Sequence, residues 1–321
     1  MKVLDQYVGN GYQLINGDTC EVIRAIPDES IHFEVYSPPF SSLYTYSNSD
    51  RDLGNSKNDE QFFEHFHFIT TELFRILKPG RIMAVHCMNL PTSKERDGFI
   101  GIKDFRGDLI REFQSVGFIY HAEVAIWKNP VTAMQRTKAL GLLHKQIKKD
   151  SCMSRMGIPD YVVIMRKPGI NPEPVTHTNE TYPVSEWQNV ASPMWDFDSS
   201  PFWWDINPSN TLNVQAARDG RDERHICPLQ LDVIDRLLKL YTNPNDIVFT
   251  PFMGIGSEVY QAVLNGRRGV GIELKPTYYK CAVDNLKMAE KTNKQMDLFS
   301  FIGGENEHIK SNNGSTGNNP G

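Results

Sequence analysis

The sequence predicts an α/β fold in which a mostly parallel sheet carries helices on both faces. Short runs rich in β-branched and aromatic residues alternate along the chain with longer stretches whose apolar residues recur at helical spacing. In addition, two turns, at residues 37–40 and 250–257, directly follow predicted strands. Because sheets of this class bind ligands outside the carboxyl ends of their strands, both turns are candidate parts of one site.

The individual elements follow from the same patterns. Alternating apolar residues predict strands near residues 12–16, 31–36, 81–87, 118–127, 161–166, 246–250 and 269–272. Helical spacing predicts helices near residues 19–25, 60–77, 104–116, 228–240, 256–265 and 276–291. We expect Asp59 to cap the long second helix, because aspartate is a common N-cap, and Pro79-Gly80 to end it.

Composition indicates a globular enzyme rather than a secreted or membrane protein. A chain of 321 residues is long enough for one large α/β domain with an inserted region. Its five cysteines form no Cys-x-x-Cys pair, which argues against a disulfide framework and against a structural zinc site. It has no apolar run of the roughly 18 residues that a membrane span needs and no signal peptide, so we expect a cytoplasmic location.

Charge is distributed unevenly, although the net charge is −5. Residues 128–168 hold nine Lys or Arg against two acids, which is typical of a track for nucleic-acid phosphates but also of a solvated helix face. The candidate phosphate contacts are Arg136, Lys138, Lys145, Lys148, Lys149 and Arg155. Residues 171–210 hold no Lys or Arg, six prolines and four of the five tryptophans, which favours a folded insert over a linker.

The first motif is the tetrapeptide Ser37-Pro38-Pro39-Phe40, which follows the predicted strand 31–36. Neither proline can donate a ladder hydrogen bond, so the strand stops and the turn is stiff. A hydroxyl, a backbone carbonyl and an aromatic face are thereby placed at a strand end. Hydrogen-bond acceptors beside a flat ring suit a planar group with an exocyclic amine, such as adenine or cytosine.

The second motif spans residues 246–273 and reads as strand, glycine turn, helix, strand and acid. Gly254 and Gly256 let the backbone pass close to a ligand and open a helix whose free amides face it. Glu273 follows about 20 residues later, where a carboxylate can accept from two ribose hydroxyls. No Gly-Lys-Ser/Thr follows, which excludes a triphosphate loop, and the missing third glycine disfavours a pyrophosphate dinucleotide. The motif predicts a nucleoside cofactor.

Together the motifs resemble the DNA amino-methyltransferases that use S-adenosylmethionine to modify exocyclic nitrogens of DNA bases. Residues 37–40 look like their catalytic motif and residues 250–257 look like their cofactor loop. The motif that resembles the catalytic one precedes the motif that resembles the cofactor loop, and more than half of the chain's length separates them. This order is similar to that of the β-class. The resemblance implies a Rossmann-like S-adenosylmethionine-dependent methyltransferase fold with permuted motif order and an inserted target-recognition region.

The resemblance also assigns site residues. The catalytic residues it implies are Ser37, Pro38, Pro39 and Phe40, and the cofactor-binding residues are Asp18, Pro251, Phe252, Gly254, Gly256, Ser257 and Glu273. Residues 127–130 and 160–169 are similar to strands that flank the target-base pocket, and 225–230 to a segment that covers the methionine end of the cofactor. One departure is Thr250, which stands where the family usually has aspartate and puts cofactor affinity in question.

The implied organisation has four parts. Residues 1–127 are the catalytic half of the methyltransferase domain, 128–224 the target-recognition insert, 225–302 the cofactor-binding half and 303–321 a disordered tail. The implied partner is double-stranded DNA, and the resemblance leaves open a homodimer and a cognate restriction endonuclease. The mechanism needs no metal ion.

The resemblance also bears on the target base. Serine at the first motif position is more typical of N4-cytosine enzymes and aspartate of N6-adenine enzymes, so Ser37 favours cytosine. Two alternatives remain, namely an N6-adenine enzyme and a catalytically weak DNA-binding cofactor sensor, the latter suggested by Thr250. In protein glutamine methyltransferases, which have a similar motif, the cofactor loop comes first, so the order here argues against them.

Overall fold

The computed structural model describes residues 3–40, 52–56, 58–131, 144–153, 157–191, 202–213 and 228–292. The strands within these residues are β1 (Val3–Gly9), β2 (Tyr12–Gly17), β3 (Ile31–Tyr36), β4 (Leu77–Met88), β5 (Leu90–Pro91), β6 (Ile102–Lys103), β7 (Ile119–Ile126), β8 (Asp160–Arg166), β9 (Phe202–Trp203), β10 (Ile247–Thr250) and β11 (Arg268–Glu273). The helices are α1 (Thr19–Val22), α2 (Asp59–Ile76), α3 (Lys94–Asp97), α4 (Phe105–Ser115), α5 (His144–Ile147), α6 (Val184–Ala191), α7 (Leu231–Tyr241), α8 (Ser257–Leu264) and α9 (276–292).

Nine of the described strands form one sheet in the order β1-β2-β11-β10-β3-β4-β8-β7-β9. The pairs β2–β11, β11–β10, β10–β3 and β3–β4 are parallel, whereas β8 runs antiparallel to both β4 and β7. The carboxyl ends of β2, β11, β10, β3, β4 and β7 therefore meet at one edge, together with the amino end of β8. This mostly parallel, mixed sheet confirms the predicted Rossmann-like α/β fold.

Helices cover both faces of the sheet, as predicted. Along β3, Phe33 and Val35 pack in one core cluster with Leu237 of α7, whereas Tyr36 packs in another with Phe66 of α2. Successive strand residues point to opposite faces, so a strand covered on both sides reads as a nearly continuous buried run. All six residues of β3 are indeed buried. The motif at residues 37–40 thus follows a strand that is packed on both faces.

The start and end of α2 differ from the prediction. The N-cap is Asn58 and not Asp59, because Asn58 has an extended backbone from which its side chain accepts a hydrogen bond from Gln61 N at 2.9 Å. The helix ends at Ile76 and not at Pro79-Gly80, because Leu77 already has extended dihedrals and begins β4. The capping hydrogen bond of Asn58 thus determines where α2 begins, and the start of β4 at Leu77 determines where it ends.

Strand β1 was not predicted. Most of its residues are at least partly exposed, so its sequence lacks the regular alternation that marks a half-buried strand. It pairs antiparallel with β2 at the outer edge of the sheet through a turn in which Gly11 has φ +82°. Glycine suits that left-handed position because it carries no Cβ.

The predicted insert, residues 128–224, contributes to the main sheet. It supplies β8, which lies between β4 and β7, and β9, which lies at the other outer edge. The proposed division into four parts stays a prediction. Arg136, Lys138, Arg155, residues 225–227 and the tail 303–321 lie outside the described residues. Within the part of the chain that is described, no helix combines the length and the apolar character needed to span a bilayer.

Candidate active site at the carboxyl edge of the sheet

The two sequence motifs begin side by side. Strands β3 and β10 are adjacent and parallel, with Phe33 opposite Val248 and Glu34 opposite Phe249. The turn at residues 37–40 and the loop at 251–257 therefore leave neighbouring strands at the same edge. Strand β11, which ends in Glu273, lies on the other side of β10, and β2 lies next to it. The fold thus brings together the motifs that are far apart in the chain.

Ser37 lies at the centre of this edge and is partly exposed. Its Oγ is 3.1 Å from Nδ1 of His86 and 3.3 Å from the His86 carbonyl oxygen, at the end of β4. Pro38 is buried, whereas Pro39 is partly exposed. The buried proline fixes the turn against the body of the protein, so the Ser37 hydroxyl has a defined position.

The aromatic residues of the two motifs pack differently. The Phe40 ring is partly buried and meets Phe105 edge-on, with 6.2 Å between centroids. The Phe252 ring stacks on Phe66 of α2 at 6.3 Å and lies tilted against Tyr36 at 5.8 Å. Phe252 therefore contributes to the core under α2, and its predicted contact with the cofactor stays a prediction.

The two glycines of the loop serve separate purposes. Gly254 has φ +53°, and no atom lies within 4 Å of the place where a Cβ would stand, so the loop is open on that side. Gly256, with φ +92°, precedes α8, and a Cβ there would come within 3.1 Å of Ala282 and Leu286. Gly256 thus permits α8 to pack on α9, whereas Gly254 leaves space for a ligand.

Glu273 is bound to this loop through the backbone. Its Oε2 accepts a hydrogen bond from Gly254 N at 2.8 Å, and its Oε1 accepts one from Lys275 N at 2.8 Å. Burial raises the pKa of Glu273 to about 7, although the backbone donors act in the opposite direction. Each carboxylate oxygen can accept two hydrogen bonds, so both keep capacity for hydroxyl donors.

The turn after β2 is tied to the same loop. Asp18 caps α1, since its Oδ1 accepts from Cys20 N at 2.9 Å. The neighbouring Thr19 donates its hydroxyl to the Pro251 carbonyl at 2.6 Å, and Asn16 Nδ2 donates to the Glu273 carbonyl at 2.7 Å. These bonds hold three of the predicted cofactor residues in one framework. Nothing in the local sequence of Asn16 or Thr19 indicates these partners.

Two buried hydroxyls of the cofactor motif have no hydrogen-bond partner. They are Oγ1 of Thr250, whose residue is fully buried, and Oγ of Ser257 at the start of α8. Leaving a buried polar group unpaired costs roughly 1–3 kcal/mol, so such groups are usually satisfied by something. Burial also raises the pKa of the adjacent Glu258 to about 8. The end of β10 and the start of α8 therefore each have an unsatisfied hydroxyl that a polar ligand can pair.

A cluster next to Ser37 joins His86, which the sequence did not single out, to Lys128 and Asp160 from the two segments that the resemblance places at the target-base pocket. Nε2 of His86 is 3.1 Å from Oδ2 of Asp160, although without hydrogen-bond geometry, and Lys128 Nζ is 2.5 Å from the same oxygen. Burial by itself would raise the pKa of Asp160, but His86 and Lys128 outweigh it and lower this pKa. The three residues come from the ends of β4, β7 and β8, so only the strand pairing brings them together.

Within the described residues, one cluster has the composition of a metal site, but it lies at the opposite edge of the sheet. It consists of His32, Glu173 and Asp246. Nδ1 of His32 accepts from Ile247 N at 3.1 Å, so the ring proton is on Nε2 and is donated to Glu173 at 2.8 Å. Arg81 also pairs with Asp246. This arrangement is a network that joins the amino ends of β3 and β10.

Three of the six predicted phosphate contacts are among the described residues, and these three lie on the surface. Lys145, Lys148 and Lys149 are exposed on and directly after α5. Lys128, which belongs to the same basic stretch, is instead paired with Asp160. The role of the exposed lysines in binding nucleic acid stays a prediction.

The family model described as "DNA methylase" (N6_N4_Mtase) matches residues 31–284. Among curated proteins, the chain is 25% identical over 299 residues to the type II beta methyltransferase M.BslI of Bacillus sp. (strain NEB-606). That alignment covers 90% of this chain but 29% of M.BslI, so the chain spans about a third of that relative's length.

Solved structures show the same fold. The modification methylase TTHA0409 of Thermus thermophilus, complexed with S-adenosyl-L-methionine, has a TM-score of 0.60 at 22% identity and covers 87% of this chain and 96% of its own. The PvuII DNA methyltransferase (cytosine-N4-specific) has a TM-score of 0.60 at 15% identity, and the alignment covers 88% of this chain and 90% of that structure's chain. The family match extends over most of the chain and includes both motifs in the predicted order. The chain therefore belongs to the N6/N4 family of DNA methylases, with the motif order of the β-class.

Proposed function

We propose that this chain transfers a methyl group from S-adenosylmethionine to the exocyclic amine of a DNA base that is extruded from the duplex, with N4 of cytosine as the favoured target. The observation that carries this proposal is the adjacency of the two motifs on β3 and β10. A methyl donor in the 251–257 loop and an amine at Ser37 would then meet at one sheet edge. Family membership supports the reaction class.

The residues of the loop suit a nucleoside with a charged amino-acid tail. Glu273 supplies a carboxylate for ribose hydroxyls, Gly254 leaves open space beside it, and Ser257 Oγ is a buried hydroxyl without a partner. Asp18 lies at the end of the neighbouring strand, where the family's acid approaches the adenine. When bound, S-adenosylmethionine supplies an already activated methyl group, so the protein's task is alignment and exclusion of water.

Ser37 and Pro38 prepare the nucleophile. An exocyclic amine is a weak nucleophile because its lone pair is delocalised into the ring. Acceptors on its two hydrogens, the Ser37 Oγ and the Pro38 carbonyl, favour tetrahedral geometry and localise the lone pair. Correct alignment of two reactants can account for roughly 7–11 kcal/mol of the barrier, so neither a metal ion nor a covalent intermediate is needed.

DNA must be deformed for this reaction. The amine of a paired base is inaccessible to the site, so the base has to leave the stack, which costs a few kcal/mol. Stacking on Phe40 offsets part of that cost. The exposed lysines on and after α5 are the proposed phosphate contacts, together with Arg136, Lys138 and Arg155. Residues 128–224 are the proposed target-recognition region, and a homodimer or a cognate endonuclease would be additional partners.

Cytosine is preferred over adenine because Ser37 replaces the aspartate of the adenine enzymes. Adenine's amine can occupy the same two acceptors, so the N6-adenine alternative keeps the mechanism. The cofactor-sensor alternative draws on Thr250, whose hydroxyl is buried and unpaired where the family's loop has a carboxylate. A hydroxyl at Thr250 would bind the ammonium group of S-adenosylmethionine more weakly than a carboxylate, which would lower the affinity for the cofactor but leave the binding site in place.

The experiment is methyl transfer from S-[methyl-³H]adenosylmethionine to unmethylated plasmid and genomic DNA, with the Ser37→Ala variant as the control. Methylated DNA is then digested to nucleosides and analysed by mass spectrometry. N4-methylcytosine is the expected product. N6-methyladenine would contradict the cytosine assignment and keep the reaction class. Absence of any methylated base, with cofactor binding measured by calorimetry, would favour the sensor.

A further inference from the structure

Methylation of an amine releases a proton, and the two acceptors of the catalytic motif do not account for it. The bond between the methyl carbon and the target nitrogen forms as the carbon–sulfur bond breaks with its electron pair on sulfur. The nitrogen becomes cationic and must lose one hydrogen as H⁺. A serine hydroxyl or a peptide carbonyl is far too weak a base to retain that proton. A stronger base connected to the site would take it up directly.

His86 has the required position. Its Nδ1 lies 3.1 Å from Ser37 Oγ, and its Nε2 lies 3.1 Å from the carboxylate of Asp160. Asp160 is 1% exposed and its pKa is lowered despite burial, because His86 and Lys128 outweigh the burial, so the carboxylate is ionised at neutral pH. A carboxylate beside Nε2 favours the tautomer with the proton there. Nδ1 then accepts from the Ser37 hydroxyl, and the Ser37 lone pairs remain for the target amine.

We infer that Ser37, His86 and Asp160 form a proton relay that removes the proton from the methylated amine. The amine N–H bond gives its proton to Ser37 Oγ while Ser37 passes its own proton to Nδ1 of His86. Ser37 ends neutral and His86 ends as an imidazolium that faces Asp160. His86 then releases the proton to water after the product leaves. The relay rests on the proposed function and deepens it.

The charged groups that bear on His86 in the described residues agree with this role. Asp160, from β8, stabilises an imidazolium, and Lys128, from the end of β7, binds the same carboxylate oxygen and reduces its negative charge. His86 and Asp160 act through Ser37 and are therefore positioning residues with a proton-transfer role.

His86→Asn separates the relay from a merely structural contact. The Asn Oδ1 can accept from Ser37 much as Nδ1 does, but it cannot take up a proton. We expect the single-turnover rate of methyl transfer, on DNA that the wild-type protein methylates, to fall by at least about 100-fold at neutral pH. The rates are measured at saturating S-adenosylmethionine, so that the pH dependence of cofactor binding does not enter. The acidic limb of the wild-type pH–rate profile should then disappear in this variant, while the cofactor affinity measured by calorimetry stays unchanged. His121→Asn, at an exposed histidine of β7, is the matched control.

Asp160→Asn gives an independent readout. Without the carboxylate the imidazolium is less stable, so the acidic limb should move to lower pH, whereas structural damage would only scale the rate. An unchanged rate and profile in His86→Asn would overturn the relay and leave the methyltransferase activity intact. If thermal melting shows that His86→Asn is unfolded, the test rests on Asp160→Asn alone. An acidic limb of its pH–rate profile at the same pH as in the wild type would then overturn the relay. If the wild-type protein methylates no DNA, the proposed function and the relay both fail.

Discussion

The backbone N–H of Gly254 donates to Oε2 of Glu273 across 2.8 Å, so the glycine loop after β10 is locked to the acid that ends β11. The two residues are 19 positions apart in the chain. Their bond sets the distance between the open face of the loop and the carboxylate, which are the two features that a nucleoside cofactor needs.

Gly254→Val should abolish binding of S-adenosylmethionine while leaving the fold largely intact, because the new side chain would enter the open space beside the loop. Gly266→Val is the matched control, since Gly266 has φ +68°, follows the end of α8 and has no atom within 4 Å of the place where a Cβ would stand. Both variants carry the strain of a branched residue at positive φ. Calorimetry measures affinity and thermal melting measures the fold. Wild-type affinity in Gly254→Val would refute the assignment of the loop.

Cofactor binding should depend on pH through Glu273. Burial raises the pKa of this carboxyl to about 7, so below that pH the group is mostly protonated and accepts hydrogen bonds poorly. Affinity should therefore rise between about pH 6 and pH 8 as the carboxylate forms. Glu273→Gln should bind more weakly and lose this part of the pH dependence. Titration calorimetry at several pH values tests this, and an identical pH dependence in the two proteins would contradict it.

The same shift has a consequence for stability. The folded-state pKa of Glu273 lies above the ordinary value of 4.5, so the folded protein holds this proton more tightly than the unfolded chain. Its contribution to the free energy of unfolding is complete below 4.5 and is lost as pH rises through about 7. Glu273→Gln should be more stable than the wild type at about pH 8 and similar to it at about pH 4.5. Denaturant unfolding at the two pH values measures the difference.

Replacing Lys145, Lys148 and Lys149 by alanine should weaken binding to all DNA sequences alike. The slope of log affinity against log salt should become shallower by roughly 0.9 for each phosphate contact that is lost. A control in which Lys280, Lys287 and Lys291 of α9 are replaced removes the same charge from another exposed surface. An unchanged slope in the first variant would mean that its lysines are a solvated face only.

Ser37→Ala should lower methyl transfer by roughly 10²–10³-fold, because its hydrogen bond to the amine is needed mainly in the transition state. Binding of DNA and of cofactor should change little. Ser30→Ala, which removes a hydroxyl that donates to the local carbonyl of Pro27 at 2.7 Å, is the control. Single-turnover kinetics separate the chemical step from binding. Equal loss of affinity and rate in Ser37→Ala would point to a structural role.

Much of the fold was contained in local patterns. Strand β3 and the motif 37–40 could be predicted because apolar alternation and a proline pair act on their immediate neighbours. The same holds for the glycine loop at 250–257 and for Glu273, whose spacing follows from one βαβ unit. Where a local signal was weak, as in exposed β1, or ambiguous, as between Asn58 and Asp59, the prediction failed.

The rest was decided by tertiary structure. His86 lies in β4, Asp160 begins β8 and Lys128 follows the end of β7, and no local pattern indicates that these three side chains meet. The bond from Thr19 to Pro251 likewise joins residues 232 positions apart. The spacing of apolar residues shows which face of a helix or strand is buried, because residues at the period of that element lie on one face. Which polar groups meet at a strand end depends on strand order and register, and only the packed sheet determines these.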